Sequence, residues 1–86
     1  MNLPSWWEWE LGFTAHVEGR MEERGFSEIE LLTMLDNPTK FVPAHHPGRW
    51  VIHTRHAGQS WRVVVEPDPD DQILMIVTAY PEEVRP

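Results

Sequence analysis

RWVIHTRHAGQSWRVVVEPDPDDQILMIVTAY, residues Arg49 to Tyr80, decides the fold. Three β-rich runs are separated by two short turns. In Arg49–Arg55, Trp50, Ile52 and Thr54 face one way and Arg49, Val51, His53 and Arg55 the other, the period of two that a half-buried strand requires. His56-Ala57-Gly58-Gln59 reads as a hairpin turn with a glycine available for positive φ. Ser60–Glu66 is the next strand, with Trp61, Val63 and Val65 on one face. Pro67-Asp68-Pro69-Asp70-Asp71 reads as a turn, because its two prolines have no place in a central strand. Ile73–Tyr80 is the most apolar run and is expected to lie centrally in the sheet.

Working outward, Lys40–Val42 reads as a short strand, followed by a Pro/Gly-rich loop that carries His45 and His46. Ser27-Glu28-Ile29-Glu30 is a capping box that opens a helix. Its apolar stripe is Ile29, Leu31, Leu32 and Leu35, and Asn37-Pro38 ends it. Ala15–Arg24 predicts an earlier helix, with Thr14 as N-cap and Gly25 as the left-handed residue after it. Trp6 to Phe13 alternates apolar and polar residues and predicts a strand, with Trp7 and Trp9 on the core side and Trp6 facing away. Strand, two helices, then an antiparallel meander is an α+β order, with both helices expected on one face of the sheet.

Length and charge narrow the function classes. Eighty-six residues allow one domain, spanning 1–86. Such a chain buries only about 60–65% of its unfolded surface. The absence of cysteine removes disulfides, thiolate catalysis and Cys-ligated zinc. The longest apolar run, Ile73–Val77, is far too short to span a membrane, and the N-terminus lacks a signal-peptide pattern. A cytoplasmic protein is the expectation. The net charge is −7, which repels nucleic acid at long range. Thr39–Val65, however, contains no Asp or Glu and holds Lys40, Arg49, Arg55 and Arg62 with four of the five histidines. That stretch carries +4, so the rest of the chain carries −11. A small anion site fits this distribution better than an extended duplex-binding surface.

His16, Arg20 and Arg24 are spaced four apart and form one polar stripe on the first helix. Two guanidiniums can hold a phosphate, and a histidine beside them can move a proton near neutral pH. The plain alternative is surface pairing of the arginines with Glu23 or Glu28. His53 and Arg55 share a strand face, with His56 and Arg62 flanking the turn; they can supply a second acid/base group and an anion contact, or simply a solvated sheet face. Thr78 and Tyr80 share a face at the end of the last strand, where the phenol can donate to a phosphate oxygen. His45-His46 and His53-x-x-His56 do not make a three-ligand metal set, since strand positions three apart point to opposite faces. Asp68, Asp70 and Asp71 lack the calcium-loop pattern.

HVEGRMEERGFSEIE (His16–Glu30), followed by Arg49-Trp-Val-Ile and Val-Thr78-Ala-Tyr80-Pro, resembles the small bacterial domains catalogued as domain of unknown function 4258. That family looks like part of the barnase–EndoU–colicin–RelE group of ribonuclease toxins. The resemblance implies a RelE/barnase-like fold, metal-independent RNA cleavage without a cofactor, and an antitoxin partner. It implies catalytic roles for His16, Arg20, Arg24 and Tyr80, with Thr78 also at a matching position; His53, Arg55 and His56 are added as substrate contacts from the pattern alone. The Trp6/Trp7/Trp9 edge is the expected surface for an antitoxin or a homodimer. Two rivals remain: a non-catalytic interaction module on the same fold and a histidine-based metal binder.

Overall fold

The computed structural model describes residues 4–82. A 3-10 turn, Ser5–Glu8, leads into β1 (Glu10–Phe13). Two helices follow, α1 (Ala15–Arg24) and α2 (Glu28–Asp36), and then four strands: β2 (Pro38–Pro43), β3 (Trp50–His56), β4 (Gln59–Asp68) and β5 (Ile73–Pro81). All five strands form one sheet in the order β1-β5-β4-β3-β2. The meander β2 to β5 is antiparallel, as its short turns require. β1 joins the far edge parallel to β5, with Glu10 opposite Ile73 and Phe13 opposite Ile76. β5 therefore has a partner on each side, which explains its apolar sequence.

The helix ends follow from local chemistry. The Thr14 hydroxyl accepts from the Val17 N–H at 3.1 Å and donates to the Ile76 carbonyl at 3.0 Å. One side chain thus caps α1 and ties its start to β5. Gly25 closes the helix with φ +68°, in the left-handed region. α2 opens with the full capping box: the Ser27 hydroxyl accepts from the Glu30 N–H, and the Glu30 carboxylate accepts from the Ser27 N–H.

Alternate strand positions meet the helices in one buried cluster. Val17, Leu31, Met34 and Leu35 from the helices pack with Ile52, Val63, Val65, Leu74, Ile76 and Ala79 from the sheet. Thr54 is the buried polar residue among them, and its hydroxyl donates to the carbonyl of Met34 at the end of α2. No helix among the described residues is long and apolar enough to cross a membrane.

Three sequence expectations need correction. Trp6–Phe13 is not one strand: Ser5–Glu8 coils into a 3-10 turn and only Glu10–Phe13 is extended. The turn breaks the alternation, so Trp6 points inward, 8% exposed, against Phe41 and Trp50, while Trp7 and Trp9 cover the core's margin. Second, β4 runs on through Pro67 and Asp68, which pair with Leu74 and Ile73. β3 begins at Trp50, opposite Val65, so β4 has no β3 neighbour at Pro67, and the missing N–H takes no bond from that side. Third, α2 does not bury the whole expected stripe. Leu31, Met34 and Leu35 are buried, but Ile29 is 75% and Leu32 44% exposed.

The β3–β4 turn carries a measurable strain. Ala57 and Gly58 both have positive φ, +53° and +78°, the pattern of a type I′ hairpin turn. Alanine in that conformation costs about 1–2 kcal/mol. Ala57→Gly is therefore expected to stabilise the protein by up to about 1 kcal/mol after glycine's unfolded-state entropy is counted. For a domain of this size the melting temperature should rise by about 4–8 °C per kcal/mol, which a thermal melt followed by circular dichroism measures.

Candidate functional site

The register of the meander writes a line of polar groups across the sheet. The two-residue turn at Ala57-Gly58 sets His53 opposite Arg62. The β2 pairing sets Lys40 opposite His53, and the β5 pairing sets Arg62 opposite Tyr80. Residues directly opposite have Cβ atoms about 4.5–5.5 Å apart and share a face. Lys40, His53, Arg62 and Tyr80 thus form one row on the face away from the buried cluster. Lys40, His53 and Arg62 border a concavity of about 300 Å³, which Arg55, Ser60 and Glu82 also line; Tyr80 stands next to Arg62 at the end of the row, outside that lining.

A bulge in β5 puts Tyr80 in that row. Val64 pairs with Thr78 but Val65 pairs with Ile76, so Val77 is the extra residue. Under strict alternation Ile76, Thr78 and Tyr80 would share the core face. The bulge reverses the parity: Ala79 becomes the buried residue, and Thr78 and Tyr80 turn to the open face.

Charge is concentrated around His53. Arg62 donates from Nη2 to Glu82 Oε1 at 2.7 Å, and its own pKa is raised by that bond and by the Tyr80 hydroxyl. The Glu82 carboxyl is held low, first by the hydrogen bond from Arg62. Arg62 Nε is shielded from solvent and has no partner, although the side chain as a whole is 38% exposed. The His53 pKa is lowered from 6.5, first by burial, then by the charges of Lys40 and Arg62, against an opposing pull from Glu82. Its imidazole is therefore neutral at pH 7 and able to accept a proton. Thr39 fixes the strand here, donating from its hydroxyl to the His53 carbonyl at 3.1 Å.

The shift has a sign that can be checked. A histidine whose pKa falls on folding adds stability that is fully present above about 6.5 and is lost as pH drops through the folded value. In an NMR titration His53 should titrate below 6.5, and Lys40→Met should move it back up because one repelling charge is gone. A midpoint unchanged by Lys40→Met would show that the Lys40 charge does not reach His53.

The other anticipated residues lie elsewhere. His16 is exposed on α1. Arg20 pairs with Glu23 at 2.9 Å, the surface alternative raised by its spacing. Arg24 donates from Nη1 to the Ala79 carbonyl. This stripe reaches β5 from the α1 side, whereas the bulge sends Tyr80 to the other face, so His16, Arg20 and Arg24 are not brought together with Tyr80. His56 shares the parity of Ile52 and Thr54 rather than of His53; it hydrogen-bonds Glu30 at 2.8 Å and rests edge-on against Trp61. It ties β3 to the capping box of α2 and is not beside His53. Arg55 lies on the open face and donates to the Gly58 carbonyl at 3.1 Å. Among the described residues, no three His, Asp or Glu side chains are grouped to hold a metal. Asp68 uses its carboxylate to accept from the Asp70 and Asp71 N–H groups.

Lys40 and Glu82 are the members of this site that sequence reasoning missed, and Arg62 is read there only as a residue flanking the turn, not as the one facing His53. The turn supplies the signal for Arg62: once Ala57-Gly58 is read as a two-residue loop, position 53 faces position 62.

The profile of the family described as Domain of unknown function (DUF4258) matches residues 13–81. This chain belongs to that family. The matched span of the DUF4258 domain includes all four residues of the row and both helices, and leaves out the tryptophan-rich segment before Phe13. No curated protein matches the chain, and neither does any solved structure.

Proposed function

We propose that this DUF4258 protein is a small metal-independent endoribonuclease of toxin type, with both helices on one face of a RelE/barnase-like sheet and the active site on the opposite face. The observation that carries the reading is a neutral His53 set between Lys40 and Arg62 and in line with Tyr80. A phosphodiester is the ligand this arrangement suits: Lys40 and Arg62 attract and orient the phosphate, and Arg55 extends the anion contact along the strand.

His53 takes the proton from a ribose 2′-OH. The freed O2′ forms a bond to phosphorus, and the P–O5′ bond breaks. Arg62 and Lys40 stabilise the charge that builds on the non-bridging oxygens. The Tyr80 hydroxyl gives a proton to the departing O5′ and is reprotonated through solvent. The products are a 2′,3′-cyclic phosphate end and a 5′-hydroxyl end. Arg24 acts as a positioning residue, holding the Ala79 carbonyl next to Tyr80.

Incubation with a defined RNA in excess chelator tests this directly. The expected result is cleavage with 2′,3′-cyclic phosphate termini, undiminished by chelator. Cleavage that requires added metal, or products with 5′-phosphates, would overturn the mechanism.

A second reading, a protein-interaction module, is favoured by one observation: an open apolar groove on the opposite side of the molecule, between the 3-10 turn and α2.

A further inference from the structure

The groove lies where the N-terminal segment passes α2. Trp7, Trp9 and Leu11 form one wall, Leu32, Leu35 and the acidic Asp36 the other, and Leu74 the floor, around a cavity of about 140 Å³. Its apolar surface continues outward over Ile29, one helical turn before Leu32 and 75% exposed. An isoleucine and a leucine at this spacing, both left open, form the kind of contiguous apolar patch that marks an interaction site.

The rim is of one sign. The segments 4–12 and 28–36, which build both walls, contain Glu8, Glu10, Glu28, Glu30 and Asp36 and no Lys, Arg or His. Glu30 is occupied by His56, while Glu8, Glu10, Glu28 and Asp36 are exposed. A second copy of the chain docking face to face would set acid against acid, in a protein already at −7. An anionic lipid surface meets the same repulsion.

We infer that this groove receives an amphipathic helix of another protein, with leucine-type residues on one face and lysine or arginine along its flanks. The apolar face fills the space between Trp9 and Leu32, packing along α2 as one helix packs against another. The basic flanks meet Glu10 on one wall and Glu28 and Asp36 on the other. The inference stands apart from the ribonuclease reading, because no residue of the row lines this groove.

Titration of the folded protein with a tryptophan-free helical peptide of about 14 residues tests it. One peptide carries Leu at i, i+3, i+4 and i+7 with Lys flanks; a second replaces every Lys with Glu. Indole emission reports the groove, since Trp7 and Trp9 line it. The Lys peptide is expected to bind at least tenfold more tightly than the Glu peptide, with affinity falling as salt rises. Leu32→Glu then decides between docking and mere attraction. It adds a negative charge at an already exposed position, so non-specific attraction predicts tighter binding, whereas docking predicts at least tenfold weaker binding. Unchanged or tighter binding by Leu32→Glu would overturn the inference. A concentration-dependent dimer that Leu32→Glu abolishes, or adsorption to anionic vesicles that it abolishes, would overturn it in favour of a second copy or of a membrane.

Discussion

His53→Ala is expected to lower RNA cleavage by about 10²–10⁴-fold, the usual cost of removing a general base, while leaving the fold intact. His53 lies on the open face, and its side chain makes no hydrogen bond to the core. Arg62→Ala should cost a comparable factor through lost charge stabilisation. It also frees Glu82, whose uncompensated charge beside His53 should raise the histidine's pKa and shift the acidic limb of the rate profile upward. His16→Ala makes the comparison sharp. His16 is exposed on α1 and apart from the row, so its removal should change the rate by less than about threefold. A His16→Ala protein that is dead beside an active His53→Ala protein would place the chemistry on the helix stripe and rule out His53 as the base.

Trp6→Ala is expected to destabilise the protein by about 3–5 kcal/mol, the range for truncating a buried large aromatic. A domain of this length has about 4–13 kcal/mol in total, so the loss removes roughly a quarter of the stability or more, and the melting temperature should fall by about 4–8 °C for each kcal/mol lost. The indole touches Trp7, Phe41 and Trp50 with ring centroids 5.9 to 6.4 Å apart. It thereby joins the N-terminal turn to β2 and β3. Trp7→Ala removes a half-buried ring from the margin of the same cluster and should cost only about 1–2 kcal/mol. Urea unfolding of the two variants compares them. Equal losses would mean that Trp6 is no more buried than its neighbour.

What the sequence made readable was local. The capping box at Ser27, the Thr14 and Gly25 helix ends and the alternation of β3 and β4 each sit within a few residues of their cause, and all are found in place. The parallel partner of β1 was not readable, because nothing in Glu10–Phe13 names β5. Trp6 was misjudged because alternation was carried through a segment that coils. The site was half visible. His53, Arg55 and Tyr80 were singled out, but helical spacing drew the chemistry toward His16, Arg20 and Arg24. A single extra residue at Val77 reverses which way Tyr80 faces, and no composition or period signals a bulge. Lys40 and Arg62 needed strand pairing, not just strand assignment, before they could be seen as neighbours of His53.

The parallel pairing of β1 with β5 has a kinetic meaning. Glu10 waits for Ile73, 63 positions later in the chain, before its ladder can form. Closing so long a loop costs entropy before any contact repays it, so this is the contact most expected to form late in folding. During synthesis the hairpin β3–β4 can zip locally, while β1 still lacks its partner strand. Tyr80 and Glu82 arrive with that same last strand. The cationic row is therefore completed in the step that seats the N-terminal segment, and a chain halted before β5 would lack both a finished sheet and a finished site.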